Sequence, residues 1–270
     1  GPDHFRFLNG RGLNIQQIYG LTEATPLVIH IEGDVKFESQ GVPTKGVEIT
    51  ISDEGELLAR GPHIFYGYYK DDAATQRALK DGWLHTNDAG YIDEDGHYIF
   101  YDRLADMAQL AGGEKYAPMY IESRLRFSPY VKDVMVIGGE DRDYLAAMID
   151  MDFDVVAKWA ENHHIPYTTF ADLSQKAEVY DLIEKEVEKT NKSLPQATRV
   201  KKYLLLHKEF DPDEAELTRT RKIRRGFLED KYKDMIGAVY EGKEEALAET
   251  IITYQDGRKG KVSIPVKIRS

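Results

Sequence analysis

Four stretches of this 270-residue chain carry side chains able to do chemistry. The first is Tyr19-Gly20-Leu21-Thr22-Glu23, where a strand stops at a glycine and then offers a hydroxyl and a carboxylate. A hydroxyl can donate to a phosphate oxygen. A neighbouring carboxylate can hold a hard cation such as Mg²⁺, which takes oxygen ligands and often binds through one or two carboxylates plus phosphates. Tyr19 adds a flat face for a nucleobase. Taken alone, the stretch also reads as a turn followed by a helix cap. The second is Trp83-Leu84-His85-Thr86-Asn87-Asp88-Ala89-Gly90, whose Asp88 can accept both hydroxyls of a ribose or simply bond its own turn. His85 has no partner pattern pointing to a triad or a metal.

The third stretch runs from Tyr98-Ile99-Phe100-Tyr101-Asp102-Arg103 through Leu110-Ala111-Gly112-Gly113-Glu114. An aromatic strand ends in Asp-Arg where the texture of the chain changes, and two glycines follow that let backbones approach closely. An ordinary surface ion pair gives the same Asp-Arg. The fourth is Glu216-Leu217-Thr218-Arg219-Thr220-Arg221-Lys222-Ile223-Arg224-Arg225, a basic run that can form a local anion site or a solvated helix start. It has little aromatic interleaving, which argues against single-stranded nucleic acid. No GxxxxGK[ST] phosphate loop occurs anywhere.

The elements that must position these residues follow from pattern. Before the aromatic strand the chain reads as short strands and tight turns. Residues 14–19 suggest a buried strand, 26–31 and 46–52 alternate at period two, and 46–61 is a hairpin. Residues 71–79 make a short helix, and the run from Gly90 to Tyr101 turns through Asp95-Gly96 as a second hairpin. After it, helices at 118–126, 153–162, 176–194 and 224–240 alternate with strands at 131–137, 144–151 and 200–210. A hairpin at 250–268, turning through Gln255-Asp256-Gly257, closes the chain. The second half is thus a mixed α+β domain and the first half is β-rich and incomplete.

Composition bounds the rest. The chain is 41% hydrophobic and 31% charged, values of a soluble globular protein with room for about two domains. A net charge of −11 disfavours bulk attraction to nucleic acid. The absence of cysteine excludes disulfides, thiolate zinc sites and a cysteine nucleophile. No apolar run approaches the roughly 20 residues that span a bilayer, and no signal peptide is visible. A cytoplasmic setting is expected. The abrupt apolar start suggests the C-terminal part of a longer chain.

In order and spacing together, the four stretches resemble the adenylate-forming superfamily of acyl-CoA synthetases, luciferases and peptide-synthetase adenylation domains. Tyr19 to Glu23 resembles its Tyr-Gly-x-Thr-Glu motif. Gly55-Glu56 through Arg60-Gly61-Pro62, with Gly67-Tyr68-Tyr69, resembles another of its segments, and Trp83 to Asp88 resembles Trp-x-x-Thr-Gly-Asp. Asp102-Arg103 resembles the pair before the interdomain hinge, and Lys222 stands where the family has its late lysine. The spacing after Arg103, with Glu216-Leu217-Thr218 ahead of Lys222, is most similar to long-chain fatty acyl-CoA synthetases.

The resemblance implies an α+β architecture. Residues 1–103 would be the β-rich C-terminal portion of the large AMP-binding domain, and residues 104–270 a small mobile lid domain. It implies two steps, in which an acid and ATP give acyl-AMP and pyrophosphate, and CoA then displaces AMP. Lys222 would bridge carboxylate and phosphate oxygens, Glu23 would hold Mg²⁺, and Thr22 would touch phosphate at Gly20's turn. Tyr19 would pack on adenine, Asp88 would take the ribose hydroxyls with Arg103 beside it, and Gly112-Gly113 would line the thiol's approach. The partners implied are fatty acid, ATP, CoA and the missing N-terminal half, without which no turnover is expected. Membrane contact, if any, would be peripheral. Departures are Asn87 for the usual Gly, Ala105 at the hinge position in place of Asp or Lys, Gln109 for a usual Lys, and Arg221 for Gly or Leu. A noncatalytic nucleotide-binding relative, or a ligase for another carboxylate, is the alternative.

Overall fold

The computed structural model describes residues 2–220, 222–253 and 259–270. It divides into two compact units, residues 1–107 and 108–270. The division falls after Met107 rather than after Arg103, because the 3₁₀ turn Leu104–Asp106 packs on strand 83–92 of the first unit.

The first unit holds helix α1 (Pro2–Gly10), then strands β1 (Ile18–Leu21), β2 (Ala24–Ile29) and β3 (Val42–Pro43) in one antiparallel sheet. Strands β4 (Glu48–Ile51), β5 (Glu56–Arg60), β6 (Leu79–Lys80), β7 (Trp83–Ile92) and β8 (Tyr98–Arg103) form a second sheet, in which long β7 pairs with β5, β6 and β8. Helix α2 (Asp72–Ala78) starts where the Asp71 side chain accepts the Ala74 N–H, the ordinary N-cap bond. Leu27, Val28, Leu57, Ala59, Leu84 and Tyr98 make the core. The expected buried strand at 14–19 is not formed. The strand begins at Ile18, and Leu13 and Ile18 are more than half exposed. Periodicity gave no sign of α1, whose Phe5 is instead the buried residue, stacked on His30.

The second unit opens with a hairpin of β9 (Ala108–Gln109) and β10 (Lys115–Tyr116), followed by α3 (Pro118–Leu125) with proline in its first turn. A five-stranded sheet follows in the order β11 (Val131–Ile137), β12 (Leu145–Met151), β13 (Val200–Leu205), β15 (Lys259–Arg269), β14 (Glu245–Thr253). Only β12 and β13 are parallel, and the crossover between them carries α4 (Phe153–Asn162), α5 (Phe170–Ser174) and α6 (Ala177–Lys192). Helices α7 (Arg225–Lys231) and α8 (Lys233–Tyr240) follow β13. Alternate strand residues face two different cores. Val134, Val136, Ala147 and Ile149 meet α3, α4 and α6, while Met135, Ile137, Ala146 and Met148 meet α7 and α8. A sheet covered on both faces takes apolar residues at successive positions, and residues 145–151, apolar but for Asp150, are buried without a break. Each Leu, Ile or Met so buried contributes about 1.5–3 kcal/mol.

The helix expected over 224–240 is two helices, broken at Tyr232. The turn expected at 255–257 lies outside the described residues. Two buried polar groups in this unit stand out. Asp150 on β12 accepts the Phe210 N–H at 3.0 Å through one oxygen, and its other oxygen has no hydrogen-bond partner among the described residues. His207, beyond β13, has none for either ring nitrogen. Burial pushes Asp150 up to about 7 and His207 down to about 4.

Candidate functional site

In the first unit, β7 and β8 bring Asp88 and Arg103 face to face, since the two are paired across the strands. The Arg103 Nη1 lies 2.8 Å from Asp88 Oδ1. From the other sheet, the Tyr19 hydroxyl donates to Asp88 Oδ2 at 2.5 Å. The backbone N–H of Asp88 donates to Thr86 Oγ1 (3.1 Å), and that hydroxyl donates to the Leu57 carbonyl (2.7 Å). The carboxylate is 3% exposed while Arg103 is 55% exposed, so an exposed guanidinium covers an otherwise enclosed acid. Burial raises Asp88 above the usual carboxylate range, against the opposing pull of Tyr19 and Arg103. Burial and the adjacent carboxylate hold the Tyr19 hydroxyl protonated, as a fixed donor. Its ring packs on Tyr98 and Phe100, which leaves it half-buried.

Asp88 stands where it does because the strand kinks just before it. Asn87 has φ of 56°, the left-handed region that glycine occupies freely and asparagine tolerates best among the other residues. The departure at this position therefore keeps the backbone it replaces. Glu56, buried on β5, braces the kink by accepting the Asn87 N–H at 2.8 Å through one oxygen, while the other meets His85 Nδ1 at 2.8 Å. Sequence reasoning left His85 without a partner. The signal was available only through register, because Leu58 and His85 are opposite one another on neighbouring strands.

Thr22 and Glu23 form the two-residue tip of the β1–β2 hairpin. The strand does not stop at Gly20, and no helix follows. It continues to Leu21 through an irregularity in pairing, where a Cβ on Gly20 would lie 3.0 Å from the Ala24 carbonyl oxygen. Glu23 Oε1 accepts the Tyr68 hydroxyl at 2.6 Å. Among the described residues no group of three or more acidic or imidazole side chains could cage a metal. A lone carboxylate fits a cation that takes its remaining ligands from phosphate and water.

The second unit carries the other candidates. Lys222 lies exposed on a narrow hairpin. Leu217 and Ile223 bridge its base, Thr218 N donates to the Lys222 carbonyl (2.8 Å), and Lys222 N donates to Thr218 Oγ1 (2.9 Å). The expected anion cluster is smaller than the sequence suggested. Arg224 donates to the Ala215 carbonyl and lies over the Phe227 ring, and Arg225 is taken by Glu122 and the Val136 carbonyl. Arg221 lies outside the described residues. Gly112 and Gly113 form the β9–β10 turn, where Gly113 has φ of 91° and donates to the Leu110 carbonyl. Gln109 lies opposite Lys115 on that hairpin, so a cation remains beside the position where a lysine was expected. Ala105 is exposed in the 3₁₀ turn, and the Arg103 N–H just ahead of it is held by Asp102 Oδ1 at 2.9 Å.

The profile of the AMP-binding enzyme C-terminal domain matches residues 105–244, and that of the AMP-binding enzyme matches residues 1–69. The long-chain-fatty-acid--CoA ligase FadD15 of Mycobacterium bovis is 32% identical over 236 residues, 87% of this chain and 39% of its own length. The long-chain-fatty-acid--CoA ligase heimdall of Drosophila melanogaster is 29% identical, over 87% of this chain and 41% of its own. The chain thus spans about two fifths of the length of the curated relatives it matches. In fold it is similar to O-succinylbenzoate coenzyme A synthetase (MenE) from Bacillus subtilis in complex with AMP. That match has a TM-score of 0.55 at 22% identity, covering 85% of this chain and 44% of that one. With the C-terminal profile alone spanning more than half of its residues, the chain belongs to the AMP-binding, adenylate-forming enzyme family.

Proposed function

We propose that the chain is the C-terminal part of an ATP-dependent acid–CoA ligase acting on long-chain fatty acids. The observation that carries this reading is the enclosed Asp88 carboxylate, held between the Tyr19 hydroxyl and the exposed Arg103 guanidinium. A vicinal diol is the ligand such a carboxylate takes, and the ribose of ATP or AMP supplies one once Arg103 moves aside. Tyr19 then serves as Asp88's fixed donor as well as an apolar wall beside the base. Thr22 and Gly20 would place the hairpin tip at the phosphates. Glu23 would hold Mg²⁺, which when bound neutralises phosphate charge. Lys222, on its exposed hairpin, would add the cation that lets a carboxylate approach the α-phosphate. The turn at Gly112-Gly113 would line the thiol's approach, and rotation about the segment at Ala105 would exchange the two arrangements.

The fatty substrate is taken from the two long-chain ligases to which the chain is similar. The likeness to the succinylbenzoate enzyme keeps a different carboxylate as the second reading. A noncatalytic relative is disfavoured by Lys115, which stands across from Gln109 and leaves the thioester side a cation. No helix among the described residues is long and apolar enough to cross a membrane. We place the enzyme in the cytoplasm, with peripheral membrane contact through its substrate.

The test compares the 270-residue chain with the intact protein that carries the upstream half. Given ATP, Mg²⁺, palmitate and CoA, the chain alone forms no acyl-CoA and the intact protein does. Lys222→Ala in the intact protein lowers pyrophosphate release at least 100-fold. Equal rates for parent and Lys222→Ala would sink the ligase reading, and turnover of a short aromatic acid in preference to palmitate would transfer it to the second substrate class.

A further inference from the structure

The Lys222 hairpin is closed by its own backbone bonds, but those bonds do not aim it. Aim comes from its two roots. The second root is Arg225, which reaches Glu122 and donates to the Val136 carbonyl at 2.6 Å, tying the start of α7 to α3 and β11. The first root is Glu216, whose carboxylate is 0% exposed. One of its oxygens accepts the Asp211 N–H (2.7 Å) and the Lys208 ammonium (3.0 Å). The other accepts the Tyr232 hydroxyl (2.6 Å) and the Lys231 ammonium (2.8 Å). Both lysines also pair with Glu214 at the cluster's rim. Burial opposes ionisation of Glu216, yet these donors outweigh it and keep its carboxyl below the ordinary value.

The four donors come from three places. Lys208 lies beyond β13, Asp211 in the turn before the hairpin, and Lys231 with Tyr232 at the break between α7 and α8. Glu216 also receives the Arg224 N–H on its carbonyl at 3.0 Å, so one residue joins both legs of the hairpin to those three elements. If stability were the only requirement, an apolar side chain packed beside Leu217 would serve as well, since a buried ion cluster costs about as much in desolvation as it returns. What the cluster adds is direction. Four donors fix a carboxylate in all three dimensions, and hence the backbone six residues from Lys222.

We infer that Glu216 is a positioning residue for Lys222, its carboxylate anchoring the hairpin so that the lysine amine is held at one place. The inference rests on the proposed part of Lys222 in adenylate formation. It is tested with Glu216→Gln, which keeps the size of the side chain and removes its charge. In the intact enzyme, pyrophosphate release from acid and ATP falls about 10- to 100-fold, the scale of a misplacement near 1 Å. Conversion of supplied acyl-adenylate and CoA to thioester, which does not use Lys222, changes less than twofold. In the 270-residue chain, the Thr218 and Lys222 amides exchange hydrogen at least tenfold faster. Val187→Ala, in the opposite core, loses stability but leaves the ratio of the two half-reactions unchanged. If Glu216→Gln fails to fold, Lys208→Met decides, with adenylation lowered about threefold and the thioester step unaltered. Equal loss in both half-reactions, or unaltered exchange at Thr218 and Lys222, overturns the inference. An intact parent that releases no pyrophosphate refutes the ligase reading instead, and the exchange of the chain alone then decides the anchoring.

Discussion

Asp150 and His207 set opposite pH dependences into the same unit, and their near-cancellation can be undone one residue at a time. Asp150 moves from an ordinary 3.8 to about 7 in the folded chain. Between those values the native state keeps a proton that the unfolded state releases, so stability falls as pH rises. At about 1.36 kcal/mol per pH unit this amounts to about 4 kcal/mol, present in full below pH 3.8 and lost above 7. His207 moves from 6.5 down to about 4. Between those values the unfolded state holds a proton that the buried native ring refuses, so stability rises with pH. Its contribution is about 3 kcal/mol, present above 6.5 and lost as pH falls to 4. From pH 4 to 6.5 the two slopes oppose and nearly cancel. Asp150→Asn removes one of them. Relative to the parent, this variant loses about 3 kcal/mol on acidification from pH 6.5 to 4, a fall in Tm of roughly 6–12 °C for a unit of this size. His207→Leu does the reverse and gains stability over the same interval. Melts of parent and variants at half-unit steps, read as differences from the parent, remove every other titrating group. Profiles parallel to the parent's in both variants would refute the reasoning, since neither residue would then be buried in the protonation state described.

Two further outcomes are expected from the first unit. Asn87→Gly unfolds in urea at or above the parent's midpoint, whereas Asn87→Val costs about 1–2 kcal/mol, because a branched side chain is forced into the left-handed region; a valine variant as stable as the parent would contradict the φ of 56°. Asp88→Ala in the intact enzyme weakens AMP by more than about 100-fold and leaves 2′,3′-dideoxy-AMP nearly unaffected, as two lost hydrogen bonds to a charged group require; isothermal titration that finds both nucleotides equally weakened would dissociate Asp88 from the ribose.

Much of the second unit was legible because its elements state themselves locally. Val179, Leu182, Ile183 and Val187 fall on one helical face, and all four are buried. Asp95-Gly96 between alternating runs gave the β7–β8 turn. What escaped was decided by partners distant in sequence. Nothing near Tyr232 marks a helix end, yet the helix breaks there and its hydroxyl meets Glu216, sixteen positions earlier. His85 found Glu56 only through strand register. In the candidate site the residue types were readable and their bonding was not. Tyr19 was expected as a flat surface, and it is also the donor that fixes Asp88.

The β1–β2 hairpin places Thr22 and Glu23 on a connection of two residues, among the shortest that antiparallel strands accept. The spacing between their side chains is thus written in the length of the chain as well as in its letters. A substitution at Thr22 or Glu23 removes one group and leaves the other in place. An insertion or deletion of one residue displaces both, because the Leu21–Ala24 pair that closes the hairpin can no longer be joined by the same two-residue turn. Divergence at this hairpin is therefore open to point changes and closed to changes of length, so an aligned gap at this position would mark loss of the site more reliably than any single replaced residue.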